Sequence, residues 1–261
     1  MDKSHNQPIK AYIINMRRDV YKRRAMEKQL EKFSLLGAEF VEGFDGQQLP
    51  ESDLKALVDQ EALHERYHGV VTLPAIGCSL SHHQLYERIA QSDHQVVLIL
   101  EDDAILAPHI IPLLHDLIPH IMGAAPSVVL LTPEFSYRER DLAFSVKEYG
   151  IYRLLDGCMT SGYLINKAAA IRLWDFLMPI RYLADDWGRL IEAGIYLYGI
   201  VPHAISYPEG YGEIGHSVLK VIRDRKSGWM GGVSIWLGKI KVCMYNFISW
   251  MSGFRKAKKR W

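Results

Sequence analysis

Val96-Val97-Leu98-Ile99-Leu100-Glu101-Asp102-Asp103 is the stretch on which the fold turns. An unbroken run of β-branched and aliphatic residues reads as a strand buried on both faces, as in a parallel sheet. It ends in three adjacent acids, and ligand sites in open α/β sheets gather beyond the carboxyl ends of strands. Side chains alternate along an extended segment, so Glu101 and Asp103 are expected to face one way and Asp102 the other. Three carboxylates this close repel strongly unless a cation or hydrogen-bond donors balance them. Hard oxygen ligands beside a phosphate suit Mg²⁺ or Mn²⁺, which commonly use one or two carboxylates plus substrate phosphates. The plainer alternative is a solvated strand end.

Upstream, Ala11-Tyr12-Ile13-Ile14 is a short apolar strand. Asp19 is placed to cap a helix whose stripe is Met26, Leu30, Phe33 and Leu36, with Gly37 at its end. Glu39-Phe40-Val41 is a second strand, so the chain opens as a parallel βαβ unit. The basic residues Arg17, Arg18, Arg23 and Arg24 sit where a phosphate or a nucleobase edge is met; an exposed helix face is the competing reading. Leu54 to Tyr67 reads as a helix without chemistry. Ser81 with Gln84 forms a capping-box pattern, which predicts a helix from Ser81 to about Ala90 with free amides for an anion. Either His82 or His83 is placed to assist, against the ordinary role of a hydrogen-bonding histidine.

Downstream, a helix over 110–122, a strand over 127–131 and a hairpin over 144–155 are expected. Thr160 to Ile165 is a strand, and Asn166 caps a helix over 167–177. Asp185 and Asp186 open the next helix, where acids favour the dipole in any protein, but here they form a second acidic pair beside Trp187. A strand over 195–201 follows, then a Gly/Pro/aromatic loop from Tyr207 to Gly215, with Glu209, Glu213 and His216 in or just past it.

At 261 residues, 49% of them hydrophobic, the chain suffices for one large domain or one domain with an appendage. From Lys220 onward 11 basic residues face a single acid, whereas the body before it carries 20 basic and 29 acidic residues. An acidic body with a basic tail does not match a nucleic-acid binder; it suits a head held at an anionic membrane surface. Trp229, Val233, Trp236, Ile240, Met244, Phe247, Met251 and Phe254 recur at three- and four-residue steps, and a basic cluster follows. Lys239 and Lys241 interrupt the run, which argues for an interfacial helix rather than a membrane span. A catalytic body over 1–218 and a membrane-associating helical region over 219–261 are the expected divisions. Cys78, Cys158 and Cys243 are far apart and have no CxxC pairing, which suggests neither a disulfide framework nor a thiolate zinc site and fits a reducing compartment. The polar start, Met1 to Lys10, lacks the apolar core of a signal peptide, so a cytoplasmic protein, peripheral on the inner face of the cytoplasmic membrane, is expected.

These pieces together resemble glycosyltransferase family 25, the lipooligosaccharide galactosyltransferase-like enzymes of bacteria. The carrying residues are Ile14-Asn15-Met16-Arg17-Arg18 with Arg23-Arg24, then Phe44-Asp45-Gly46 and Gly77-Cys78-Ser79-Leu80-Ser81-His82. Leu100-Glu101-Asp102-Asp103, Thr160-Ser161-Gly162-Tyr163-Leu164-Ile165 and Asp185-Asp186 continue the order. The match runs from about Ile9 to Pro208, and the ordered set is more specific than any motif in it. One departure is visible: where this chain has Asp185-Asp186, the family usually has an apolar residue before the acid.

The resemblance implies a GT-A-type, Rossmann-like α/β fold with a mixed, mainly parallel sheet flanked by helices. It implies a UDP-sugar donor, Mn²⁺ or Mg²⁺, and inverting transfer of a hexose, galactose first, to a lipid-linked oligosaccharide of the lipopolysaccharide type. On that pattern Asp103 holds the metal with Asp102 or Glu101 assisting, and His216 is a further candidate ligand. Asn15, Arg18, Arg23, Ser81 and His82 would serve the nucleotide, with Glu101 and Asp102 beside it. Asp186, then Asp185, would take the proton of the acceptor hydroxyl. A metal-dependent phosphohydrolase or phosphotransferase, and a non-catalytic membrane-surface scaffold, remain as alternatives.

Overall fold

The computed structural model describes residues 7–123 and 125–208, together with the backbone of a strand at Phe254–Lys256. The expected boundary at 218, the aromatic stripe up to Met251, Glu209, Glu213 and His216 lie outside the described residues, whereas Phe254, the expected end of the helical stripe, lies in a strand paired with Arg138. No helix among the described residues is long and apolar enough to cross a membrane.

The chain opens with β1 (Ile9–Asn15), α1 (Val20–Leu30) and β2 (Leu36–Glu42), with β1 and β2 parallel. This is the βαβ unit that the sequence predicts. The helix stops at Leu30, however, and Gly37 lies inside β2. Two short helices, α2 (Glu51–Leu57) and α3 (Gln60–Tyr67), replace the single expected one. Asp59 separates them, its carboxylate accepting from the Ala62 amide at 3.0 Å as an N-cap.

The long helix α4 (Leu73–Gln91) begins well before the predicted start at Ser81. Thr72 caps it, accepting from the Ala75 amide, and Pro74 occupies the first turn. Ser81 is therefore in the helix interior. Its hydroxyl donates to the Gly77 carbonyl at 2.7 Å, so no free amides are offered there.

The apolar run becomes β3 (Val96–Glu101), followed by a two-residue strand β4 (Ile105–Leu106), α5 (Ile110–Ile121), β5 (Ser127–Leu130) and β6 (Ser136–Arg138). The predicted hairpin is β7 (Leu142–Val146) with β8 (Tyr149–Arg153). β9 (Gly162–Asn166), α6 (Lys167–Phe176), α7 (Trp187–Leu190), β10 (Tyr196–Val201), β11 (Ile205–Ser206) and β12 (Phe254–Lys256) complete the described chain.

Eight strands form one sheet in the order β2-β1-β3-β9-β5-β10-β8-β7. The β2-β1, β1-β3 and β5-β10 neighbours are parallel; β9 is antiparallel to both β3 and β5, and β10-β8 and β8-β7 are antiparallel. The sheet is mixed, as expected, but it is not mainly parallel. The reason is the connection: the chain reaches β9 through an antiparallel excursion, β7 and β8, rather than through a crossover helix.

Helices cover both faces. Val97 and Ile99 of β3 pack with α4, α6 and α7 in one core, and Val96, Leu98 and Leu100 pack with α1 and α5 in the other. That two-sided burial is why the strand reads as a continuous apolar run. The 43–46 loop is clamped against α4 where two glycines meet. A Cβ on Gly77 would stand 2.5 Å from the Phe44 carbonyl, and one on Gly46 would stand 1.7 Å from the Leu73 carbonyl. Gly77→Ala is expected to push this loop off the helix and cost about 1–3 kcal/mol, the range for overpacking. Urea unfolding of the two proteins measures it, and equal midpoints would refute the clamp.

Candidate active site

Glu101 is the last residue of β3, and the chain turns directly after it, with the Ala104 amide donating to the Glu101 carbonyl at 3.1 Å. The turn ends the strand alternation. Glu101 keeps the phase of Val97 and Ile99 and faces α4, whereas Asp102 and Asp103 both reach Lys22 of α1, each at 3.2 Å from Nζ. Lys22 thus bridges Asp102 and Asp103, while the Glu101 charge acts on Asp103 more strongly than the Asp102 charge does.

Each acid has its own partners. Asp102 accepts a 2.7 Å hydrogen bond from the Asn15 side-chain amide at the end of β1. Glu101 accepts from the Thr160 hydroxyl and lies 3.4 Å from His82 Nε2. Burial pushes the Glu101 carboxyl up, but His82, Thr160 and Lys22 outweigh it and hold the group below its ordinary range. Asp103 goes the other way. Burial and then the Glu101 charge raise its carboxyl to about 6, against the opposing pull of Lys22. Its Oδ1 is buried without a hydrogen-bond partner among the described residues.

The three acids, Lys22 and His82 line a cavity of about 170 Å³ whose wall also includes Arg18, Asp19, Phe44, Asp45, Cys78 and Ser81. A larger space of about 700 Å³ adjoins it and shares Met16, Arg18, Phe44 and Asp45, with Arg17 and Gln84 farther along. Arg18 is ion-paired with Asp45 across the two. Arg23 turns away: it pairs with Glu27 at 2.9 Å and lies over the Phe40 ring, outside both cavity walls. Ser81 is buried and accepts from the Phe44 amide at 2.8 Å, so it positions the loop. His82 is in the site, its Nδ1 2.8 Å from the Tyr163 hydroxyl. His83 instead meets the Trp174 carbonyl on α6, and burial lowers its pKa.

The second acidic pair divides. Asp186 is 5% exposed, and its Oδ2 accepts from Arg66 Nε at 3.0 Å, Arg66 Nη2 at 2.8 Å and the Tyr67 hydroxyl at 2.8 Å. The Tyr67 oxygen also accepts from the Leu183 amide at 3.1 Å. Burial and the Asp186 charge raise the Tyr67 pKa, which keeps the phenol a donor. Asp185 is half-buried, and its charge acts on the Cys78 thiol in the cavity wall. Arg66 and Tyr67 come from α3, a segment that sequence reading left without a role. Lys22 was also missed, although it stands three residues after Asp19 on the helix that carries the basic cluster.

A family model described as glycosyltransferase family 25 (LPS biosynthesis protein) matches residues 8–187. The chain belongs to glycosyltransferase family 25. The matched span holds every site residue above, from Asn15 to Asp186. A protein of Acanthamoeba polyphaga mimivirus, named as a glycosyltransferase, is 24% identical over 76% of this chain and 62% of its own length. Family 25 members from Aedes aegypti and Anopheles gambiae are 31% and 35% identical over 38% and 37% of this chain, but only 16% and 17% of theirs. The family 25 chain therefore spans less than two thirds of these relatives. Among solved structures, the glycosyltransferase GlyE of Streptococcus pneumoniae TIGR4 matches at 13% identity and TM-score 0.31, covering 66% of this chain and 38% of that one. A glycosyltransferase involved in glycosylation of the major capsid of PBCV-1 matches at 11% identity and TM-score 0.37, covering 84% and 99%.

The Arg66–Asp186–Tyr67 cluster makes a structural prediction within this family 25 chain. Asp186→Asn leaves the half-buried Arg66 guanidinium without its counter-charge, and breaking such a pair costs about 3 kcal/mol or more. Guanidinium unfolding of Asp186→Asn and Asp185→Asn should show a large loss for the first and little for the second. Equal stabilities would remove Asp186 from the supporting network.

Proposed function

We propose that the chain is an inverting glycosyltransferase of the GT-A type that moves a hexose, galactose from UDP-galactose first, onto a lipooligosaccharide, lipopolysaccharide or related surface-glycan acceptor. Family membership supports sugar transfer, and the donor, acceptor and stereochemistry follow the resemblance. The observation that carries the reading is the convergence of three acids, Lys22 and the arginine-bearing β1–α1 loop on two adjoining cavities at the carboxyl end of β3. Arg17 and Arg18 are placed to meet a nucleoside diphosphate in the larger space.

The residues fit a hard divalent cation, Mn²⁺ or Mg²⁺. Asp103 offers a buried oxygen without a hydrogen-bond partner among the described residues, and Asp102 stands beside it. When bound there, the ion would neutralise charge on the leaving diphosphate. Lys22 supplies part of that positive charge from the protein itself. Asp185 is our candidate to accept the proton of the attacking hydroxyl, because Asp186 is buried and its Oδ2 is held by three donors from Arg66 and Tyr67. Asp186 holds the segment in place. The basic, aromatic tail is read, on charge and periodicity alone, as the contact with an anionic membrane surface at the inner face of the cytoplasmic membrane.

Release of UDP from UDP-galactose by the full chain, alone and with a lipooligosaccharide acceptor, tests the reading; no turnover of any nucleotide sugar would overturn it. Asp185→Asn is expected to keep donor affinity and lose about 10²–10⁴-fold in transfer, the range of a general base. A faster or equal variant would place the base elsewhere.

Asp103 generates a pH prediction. A cation competes with the proton of a carboxyl raised to about 6, so Mn²⁺ affinity should be full above that value and fall as pH drops below it. Calorimetric titration should show this in the parent and neither binding nor the pH step in Asp103→Asn. Without metal, the raised pKa favours the folded state fully below the unfolded value near 3.9, and that contribution is lost as pH rises through about 6. Metal-free Asp103→Asn should therefore melt higher than the parent at pH 7, and this advantage should vanish near pH 4.

A further inference from the structure

Beside the aspartates that a hard cation would use, one cluster has the composition of a softer metal site. Cys78 and His82 are four residues apart on one face of α4, and Glu101 closes the set from the end of β3. The thiol sulfur, an imidazole nitrogen and a carboxylate oxygen lie within 4.8 Å of one another. The spacing is near that of a formed site. His82 Nε2 and Glu101 Oε1 are 3.4 Å apart, and two ligands each about 2.0–2.1 Å from a tetrahedral ion stand about 3.4 Å apart.

The surroundings orient these groups as outer-shell partners orient metal ligands. The Tyr163 hydroxyl, itself 3.1 Å from that of Tyr86, engages His82 Nδ1 and leaves Nε2 toward Glu101. Thr160 donates to the Glu101 carboxylate. Burial first, then the charges of Glu101, Asp185 and Asp103, push the Cys78 thiol well above its ordinary pKa, so a cation bound there has to displace the thiol proton. All three ligands line the 170 Å³ cavity, so a fourth coordination position would open into it.

We propose that Cys78, His82 and Glu101 form a binding site for a borderline-soft divalent cation, Zn²⁺ by its ligand chemistry, distinct from the oxygen site at Asp103. Thiolate with imidazole selects Zn²⁺ over Mg²⁺ and Mn²⁺, whereas the aspartates prefer the hard ions. On binding, the thiol proton passes to solvent, and thiolate plus carboxylate balance the two positive charges. The site does not depend on sugar transfer being the activity, and it is read without nucleotide or acceptor.

Co²⁺ titration of the full chain is the test. One equivalent should bring in a near-ultraviolet thiolate-to-cobalt charge-transfer band together with the visible bands of four-coordinate cobalt, and Zn²⁺ should displace both. Cys78→Ser should abolish the charge-transfer band, and His82→Ala should weaken cobalt binding at least tenfold, the scale of second-shell losses being 10–100-fold. Cys158→Ser and Asp103→Asn should keep the band. Its absence from the parent protein, or its survival in Cys78→Ser, would overturn the site. A second measurement needs no variant: Zn²⁺ should slow alkylation of Cys78 by iodoacetamide, read by peptide mass spectrometry. Unchanged labelling at Cys78 would also refute the proposal.

Discussion

Carboxylates at the end of a buried apolar strand must be balanced where they stand, and the site is organised by how that is done. Glu101, Asp102 and Asp103 draw their partners from α1, β1, α4 and the segment before β9. Lys22 serves two of the acids, Asn15 the middle one, and Thr160 with His82 the first. The same contacts join strands β1, β3 and β9, which are adjacent in the sheet. Site and sheet are therefore one network. A charge removed from the mouth of β3 also alters how α1 docks on the sheet.

A second polar network fixes the segment that carries Asp185. Asp186 gathers Arg66 and Tyr67 from α3, Tyr67 takes the Leu183 amide, and the Ser79 hydroxyl on α4 takes the Ala184 amide at 3.0 Å. The 183–186 segment is thus tied to two helices on one side of the sheet. Such anchoring costs side-chain freedom once, on folding, and leaves little to be ordered when a ligand arrives. Trp187 anchors the same segment: it is fully buried, edge-on to Tyr163, and its indole donates to the Met159 carbonyl at 2.9 Å.

Much of this was legible from residue order. The run at 96–103, the opening βαβ unit, the Asn166 cap and the hairpin over 142–153 follow from hydrophobic pattern and local capping chemistry. The failures have equally physical causes. Ser81 with Gln84 satisfies a capping pattern, yet tertiary packing of Gly77 on the 44–46 loop carries the helix back to Leu73. That misreading hid the one-turn spacing of Cys78 and His82. Asp186 could be recognised as acidic, but its neutralisation by Arg66, 120 residues earlier, is a long-range fact that no local window contains. The antiparallel setting of β9 was invisible for the same reason, since strand direction depends on partners rather than on composition.

That strand has a consequence for how the chain reaches its native state. β9 lies between β3, more than sixty residues before it, and β5, and its pairings are antiparallel on both sides. During synthesis the first three strands emerge as a sheet fragment whose β3 edge is bare, and β5 waits with a bare edge of its own. Both edges are apolar and lack their hydrogen-bond ladder until residues 162–166 arrive to fill the gap. Joining of the two halves is thereby a late, non-local event of high contact order, which slows folding. The interval before it is when a nascent chain of this kind is open to pairing with the wrong partner; β9 closes the gap between β3 and β5, and β10, later in the chain, closes the one between β5 and β8.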